Sequence, residues 1–342
     1  MTLATRQSLI AWIKLLGLTG VWALVLGCAA GRGYDQARLG LSQPRHAIQG
    51  LEAFEQAQGQ CGAAALATVL DWSGRDVLPQ SLAPLVYDPE RQGSLQVSLA
   101  SAARRYGRLA YEIHGQAELL AEVTAGHPVI VLQNLGLSWY PVHHYSVVYG
   151  FDLPQGRVML LTGQKIPEDQ KISVFDTTWA RAGRWGLVVL PPEEPPARPE
   201  KGRYLQALLG LEQAGRFQDA ALGFETFLNL WPQDQTALLG LGNSRYQSGD
   251  LQEAADVLSR AVQIHPGSAP LQNNLAHVLM ELGCLDRALS AARKAVSLGG
   301  PHLQASTTTL NRITMMQSES QQDRQQAGQR RQGRADDAKR KD

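Results

Sequence analysis

Two stretches of this chain carry residue types that could do nucleophilic chemistry together. The first is Gln56-Ala-Gln-Gly-Gln-Cys61-Gly62-Ala-Ala-Ala-Leu-Ala-Thr-Val-Leu70, where a Gly/Gln-rich loop gives way to an Ala-rich apolar run that reads as a helix. A thiol at that junction meets the free amide N–H groups and the positive dipole end of the helix, which favours thiolate. Thiolate is the form that attacks carbonyl carbon. The second stretch is Pro141-Val-His143-His144-Tyr-Ser-Val-Val-Tyr-Gly150-Phe-Asp152, with two histidines at the mouth of an apolar strand. Successive strand residues point to opposite faces, so one of the two histidines can face the thiol. His144, directly before the Tyr-Ser-Val-Val-Tyr run, is the expected base. His114 and His127 are expected at the surface. Gln56 is the expected oxyanion donor, beside the Cys61 amide, with Gln58 and Gln60 as alternatives.

The elements that must hold these residues fall between about 51 and 190. Helical patterns cover 61–72, 80–86, 95–106 and 117–125, and short Val/Leu/Tyr-rich strands cover 128–132, 145–149, 158–161 and 186–190. Helices grouped ahead of strands predict an α+β domain with an antiparallel sheet. Pro191-Pro-Glu-Glu-Pro-Pro-Ala-Arg-Pro199 then reads as a stiff extended linker over 191–200.

Residues 201–300 repeat. Gly215, Gly249 and Gly283 are spaced 34 residues apart, as are Ala220, Ala254 and Ala288. A small residue at a helix–helix turn and an alanine where helices press together, at that period, are the signature of tetratricopeptide repeats. Three helical hairpins stacking into a short all-α solenoid are expected, with a face for a protein partner. Cys284 aligns with Arg216 and Asp250 at a polar turn position and is expected to be partly exposed. From 317 to 342 the chain is Gln/Arg/Asp/Lys with few apolar residues, and a disordered tail is expected.

The chain has 342 residues and a net charge of +1, so charge gives no reason to expect nucleic acid. No zinc-spaced Cys/His cluster and no phosphate-binding glycine loop occur, and neither metal nor cofactor is expected. Residues 1–28 read as a signal segment: Arg6 and Lys14 precede an apolar run, 15–26, too short to span a bilayer. Leu26-Gly27-Cys28 resembles a bacterial lipobox, which implies lipidation at Cys28, a tether over 29–50, and a lipid-anchored protein on the periplasmic side of the outer membrane.

Gln-x4-Cys-Gly-x-Ala-Ala-Leu, followed by His-Tyr-x-Val-Val-x-Gly-Phe-Asp, resembles the bacteriocin-processing (double-glycine leader) cysteine peptidases of the papain-like clan, in an exported branch that carries tetratricopeptide repeats. The resemblance covers about residues 50–190. It implies a papain-like cysteine peptidase domain over 51–190, Cys61 as nucleophile, His144 as base, Gln56 as oxyanion donor and a peptide or protein substrate. Two positions depart from the family pattern. The family's glutamine stands one residue further from the cysteine, where this chain has Glu55. The family's Asp-Pro step after the histidine is replaced by Met159-Leu-Leu-Thr162-Gly163-Gln164, which has no carboxylate. Thr162, Gln164, Asp152 and Asp176 are the possible third members, with Asp152 also expected to cap a turn. The competing expectation is a non-catalytic repeat scaffold lipoprotein carrying a degenerate peptidase domain; an amidase or transglutaminase-like use of the same nucleophile is a third.

Overall fold

The computed structural model describes residues 40–164 and 166–339, without the side chains of 328 and 331–339. Cys28 and the signal segment lie outside the described residues. Among those described, no helix is long and apolar enough to cross a membrane.

The first domain is a seven-stranded antiparallel sheet covered on both faces. Its strands are β1 (Arg45–Ala47), β4 (Leu109–His114), β5 (Val129–Asn134), β6 (His143–Asp152), β7 (Arg157–Leu161), β8 (Glu168–Lys171) and β9 (Trp185–Leu190). They lie in the order β4-β9-β5-β6-β7-β8, with β1 paired to the far end of β6. A separate two-stranded ribbon joins β2 (Tyr87–Asp88) to β3 (Gly93–Ser94).

One face of the sheet carries α1 (Cys61–Trp72), α2 (Pro79–Val86) and α3 (Gln96–Arg105). The other carries α4 (Gln116–Thr124) and α5 (Ile172–Arg181). Alternate strand residues serve the two layers, as strand geometry requires. Ile130, Tyr145, Val147 and Leu187 pack with Leu66 and Leu70 of α1. Val129, Val131, Val148 and Val188 pack with Leu120 of α4 and Trp179 of α5. Burial on both faces explains why these strands read as continuous apolar runs.

The helices and strands interleave more than expected. β4 forms between α3 and α4, and α5 forms between β8 and β9. α5 is rich in Ile, Val, Thr and Ser, which are weak helix formers, so burial of Phe175 and Trp179 decides its conformation. The expected tether over 29–50 is in part structured: Arg45–Ala47 pairs with Gly150–Asp152, because β6 extends beyond β5 and leaves edge groups to be met. His127, expected at the surface, is buried. Its Nδ1 lies 2.6 Å from Oε2 of the buried Glu122.

The linker is not a free spacer. Pro192 and Pro196 are buried, and the Ala197 N–H donates to Glu122 Oε1 at 2.9 Å. Six helices follow as three hairpins: α6 (Lys201–Gln213), α7 (Phe217–Leu230), α8 (Gln235–Gln247), α9 (Leu251–Ile264), α10 (Ala269–Glu281) and α11 (Leu285–Leu298). The intra-hairpin turns use Gly215, Gly249 and Gly283 at φ of 71°, 87° and 75°, a region that side chains disfavour. Ala220, Ala254 and Ala288 are fully buried between helices. Cys284 is partly exposed at the start of α11, matching Arg216 and Asp250 at the starts of α7 and α9.

The repeats are welded to the sheet. Arg203 donates to both carboxylate oxygens of Glu118 at 2.7 and 2.9 Å and lies over the Tyr111 ring. The Tyr111 hydroxyl accepts the Glu200 N–H at 3.0 Å. One apolar cluster runs from Leu109 and Tyr111 of β4 into Tyr204 and Phe227 of the repeats.

The disordered tail expected from 317 is instead the continuation of α12 (Leu303–Lys339). Its first turns bury Ser306 and Ile313, and Gln317 donates to Asp286 at 2.7 Å. Gln, Arg, Ala and Lys propagate a helix readily once packed turns have nucleated it.

Candidate active site

Cys61 is the first residue of α1. Gln60 ends the loop with its N–H on the Ala57 carbonyl and accepts the Ala64 N–H, and its side chain makes no capping bond. The opening amides of the helix therefore meet no side-chain cap, and an anion placed there would meet them. The rest of α1, from Gly62 to Leu70, is buried against the sheet, which fixes where its first residue points. Gly62 is required by close approach: a β-carbon there would lie 2.6 Å from Ser94 Oγ.

Cys61, His144 and Gln56 line one cavity of about 450 Å³, together with Ser94, Leu95, Pro141, His143 and Tyr145. Gln56 is held by its own backbone, whose N–H donates to the Gly163 carbonyl at 3.0 Å. Its side-chain Oε1 is buried with no hydrogen-bond partner. Gln58 is exposed in the preceding turn, and Gln60 is the residue that ends the loop.

Both histidines border the cavity, in different states. His143 is exposed. His144 is partly buried, with Nε2 3.2 Å from the main-chain oxygen of Thr162. A carbonyl only accepts, so Nε2 must carry the hydrogen, and Nδ1 of the neutral ring is left as the acceptor. Burial holds the His144 imidazole below its ordinary value of 6.5, against the opposing effects of the Thr162 hydrogen bond and the Glu168 charge. The Tyr145 phenol is pushed up, first by burial and then by the charge of neighbouring Cys61. Its hydroxyl donates to the Ser94 carbonyl at 3.1 Å and so fixes the ribbon against the cavity.

The other possible third members fall elsewhere. Gln164 is exposed. Asp152 sits at the opposite end of β6 from His144, accepts the Gln155 N–H at 3.0 Å as a turn cap, and lies 3.9 Å from Arg45. Asp176 is on α5, on the sheet face away from α1, and takes both guanidinium bonds of Arg184 at 3.0 and 3.1 Å. Thr162 does meet His144, but through its backbone; residue type carries no signal for a main-chain acceptor. Ser94 also went unselected by residue type. Its Oγ is buried beside Gly62 with no hydrogen-bond partner. Among the described residues, no group of three or more His, Cys, Asp or Glu is arranged to hold a metal ion.

Comparison with known proteins gives matches to families and to solved structures. Residues 48–183 match the Peptidase_C39 like family. Residues 205–269 and 245–297 match tetratricopeptide repeats. No curated protein matches the chain. Among solved structures, the type III secretion translocator chaperone SycD of Yersinia enterocolitica is 20% identical over 34% of this chain and 93% of its own, with a TM-score of 0.33. PcrH from Pseudomonas aeruginosa is 24% identical over 33% of this chain and 91% of its own, with a TM-score of 0.32. The peptidase domain of Streptococcus ComA, a bifunctional ABC transporter involved in a quorum-sensing pathway, is 20% identical over 41% of this chain and 98% of its own, with a TM-score of 0.35. The chain thus joins a Peptidase_C39-like domain to a run of tetratricopeptide repeats.

Proposed function

We propose that the protein is a cysteine peptidase that cleaves peptide bonds through an acyl-enzyme. The carrying observation is the convergence of Cys61, His144 and Gln56 on one cavity, with the imidazole tautomer fixed by the Thr162 carbonyl. In this reading the Cys61 proton passes to His144 Nδ1, and sulfur forms a bond to the scissile carbon. The α1 amides and the Gln56 side-chain amide receive the oxyanion. The C–N bond then breaks as His144 returns the proton to the leaving amine, and a water activated by the same imidazole releases the acyl group. The repeats support binding of a protein partner or substrate. The Cys28 motif supports lipid attachment on the periplasmic face of the outer membrane.

Active-site labelling tests the reading. An epoxide inhibitor or iodoacetamide is expected to modify Cys61 of the native protein. The Cys61→Ala protein is expected to lose both that adduct and peptide hydrolysis. An adduct at the same place in Cys61→Ala, or undiminished hydrolysis, overturns the proposal.

One observation favours the second reading, a non-catalytic scaffold. The imidazole is oriented by a neutral carbonyl in place of a carboxylate. A native protein whose Cys61 alkylates no faster than free cysteine, and which cleaves nothing, would support it.

A further inference from the structure

The loop between β5 and β6 carries five large apolar side chains in eight residues. Trp139 is 80% exposed and Tyr140 68%, and Leu135, Leu137 and Val142 are each about half exposed. Exposed apolar side chains clustered in this way mark interaction surfaces. The loop is also braced. Leu137 and Tyr140 exchange both backbone hydrogen bonds at 3.1 Å, and the Leu135 N–H donates to the Val142 carbonyl at 2.8 Å. The buried Asn134 accepts from the Gly136 and Val142 N–H groups at 3.0 Å each. Arg181 donates to the Gly136 carbonyl at 2.8 Å. These bonds hold a two-residue hairpin turn in one shape with its apolar side chains in water.

The hairpin is continuous with the cavity lining. Pro141 of the hairpin and His143, the first residue of β6, line the cavity, and so does the exposed Leu95, two residues before the exposed Val97. Cys61, Gln56 and His144 thus share their cavity with the apolar Pro141 and Leu95. A polypeptide bound at Cys61 in that cavity meets Pro141, which is continuous with the apolar hairpin.

We infer that the 135–142 hairpin is a substrate-selecting wall, which takes apolar or aromatic side chains of an extended polypeptide on one side of the bond presented to Cys61. The inference rests on the peptidase reading for its register, but binding can be measured without turnover. Pre-organised aromatic rings contribute contact area with little ordering cost, which suits such a role.

The experiment uses full-length Cys61→Ala protein and two short fluorescein-labelled peptides. One carries Leu and Phe at alternate positions among Gly, Ser and Gln; the other has Ser at those positions. The Leu/Phe peptide is expected to bind more tightly, and Trp139→Ser with Tyr140→Ser to weaken it by about tenfold or more while leaving the Ser peptide unaffected. Equal binding of both peptides, or no loss in the double variant, overturns the inference. So does a double-variant effect seen only as lost partition onto lipid vesicles or lost self-association. Retained iodoacetamide labelling of Cys61 in Trp139→Ser/Tyr140→Ser shows that the site is intact. If the peptides bind as expected and the native protein cleaves neither, the peptidase reading fails while the binding wall stands.

Discussion

His144 gives its Nε2–H to the main-chain carbonyl of Thr162, the residue that follows the last position of β7. The orienting group is therefore part of the sheet framework and does not depend on a side chain. Thr162→Val, which keeps shape and backbone, is expected to retain kcat/KM within about fivefold, since a lost orienter costs far more. Asp152→Asn and Asp176→Asn are expected to do the same. A drop of two orders of magnitude in any of the three would restore that side chain to the site.

The partly buried His144 makes folding stability pH-dependent. Its folded value lies below the ordinary 6.5, so the unfolded chain binds the proton more readily. The His144 contribution is intact above 6.5 and is lost as pH falls from 6.5 through the lowered folded value. Thermal unfolding across that window should show the native protein losing stability on acidification, and His144→Gln should flatten part of the slope. A slope unchanged by the substitution would contradict the burial effect.

Glu168 opposes burial by favouring the imidazolium form. Glu168→Gln is expected to lower the His144 titration point further, with the shift followed by NMR of the ring protons. An upward movement would show that its charge does not act on His144.

Gly62 lies against Ser94, which carries the hydroxyl-bonded ribbon over the cavity. Gly62→Ala is expected to cost about 1–3 kcal/mol in urea unfolding, by forcing Ser94 and β3 outward. It should also slow Cys61 alkylation. Full stability in the alanine protein would mean that the ribbon moves freely.

Glu122 joins the peptidase-like domain to the linker by holding both His127 and the Ala197 N–H. Glu122→Ala leaves the buried His127 ring and the part-buried Ala197 N–H without this partner, and a loss of about 1–3 kcal/mol is expected. Limited proteolysis should then cut within 191–200, where the native linker is expected to resist. An unchanged digestion pattern would show that the apolar contact of the repeats with β4 holds the linker by itself.

Local periodicity made some of the architecture legible. α1 begins and ends where its Ala-rich pattern does, and the repeat helices follow the 34-residue spacing, because each hairpin is stabilised by neighbours close in sequence. β4 and α5 were not legible. Leu109–His114 reads as strand only once β9 lies beside it, and the β-branched α5 becomes helix only where Phe175 and Trp179 find the sheet. β1 has three residues and exists through its pairing with β6.

By itself the sequence determined the reactive residue types, the helix that starts at Cys61, and the repeat unit, since these depend on side-chain identity and short-range spacing. Only the tertiary structure decided which histidine is held, that a backbone carbonyl holds it, that Asp152 and Asp176 stand apart, and that an apolar hairpin borders the cavity. Those outcomes depend on strand register and on which sheet face each helix covers, and both are fixed by contacts between segments far apart along the chain.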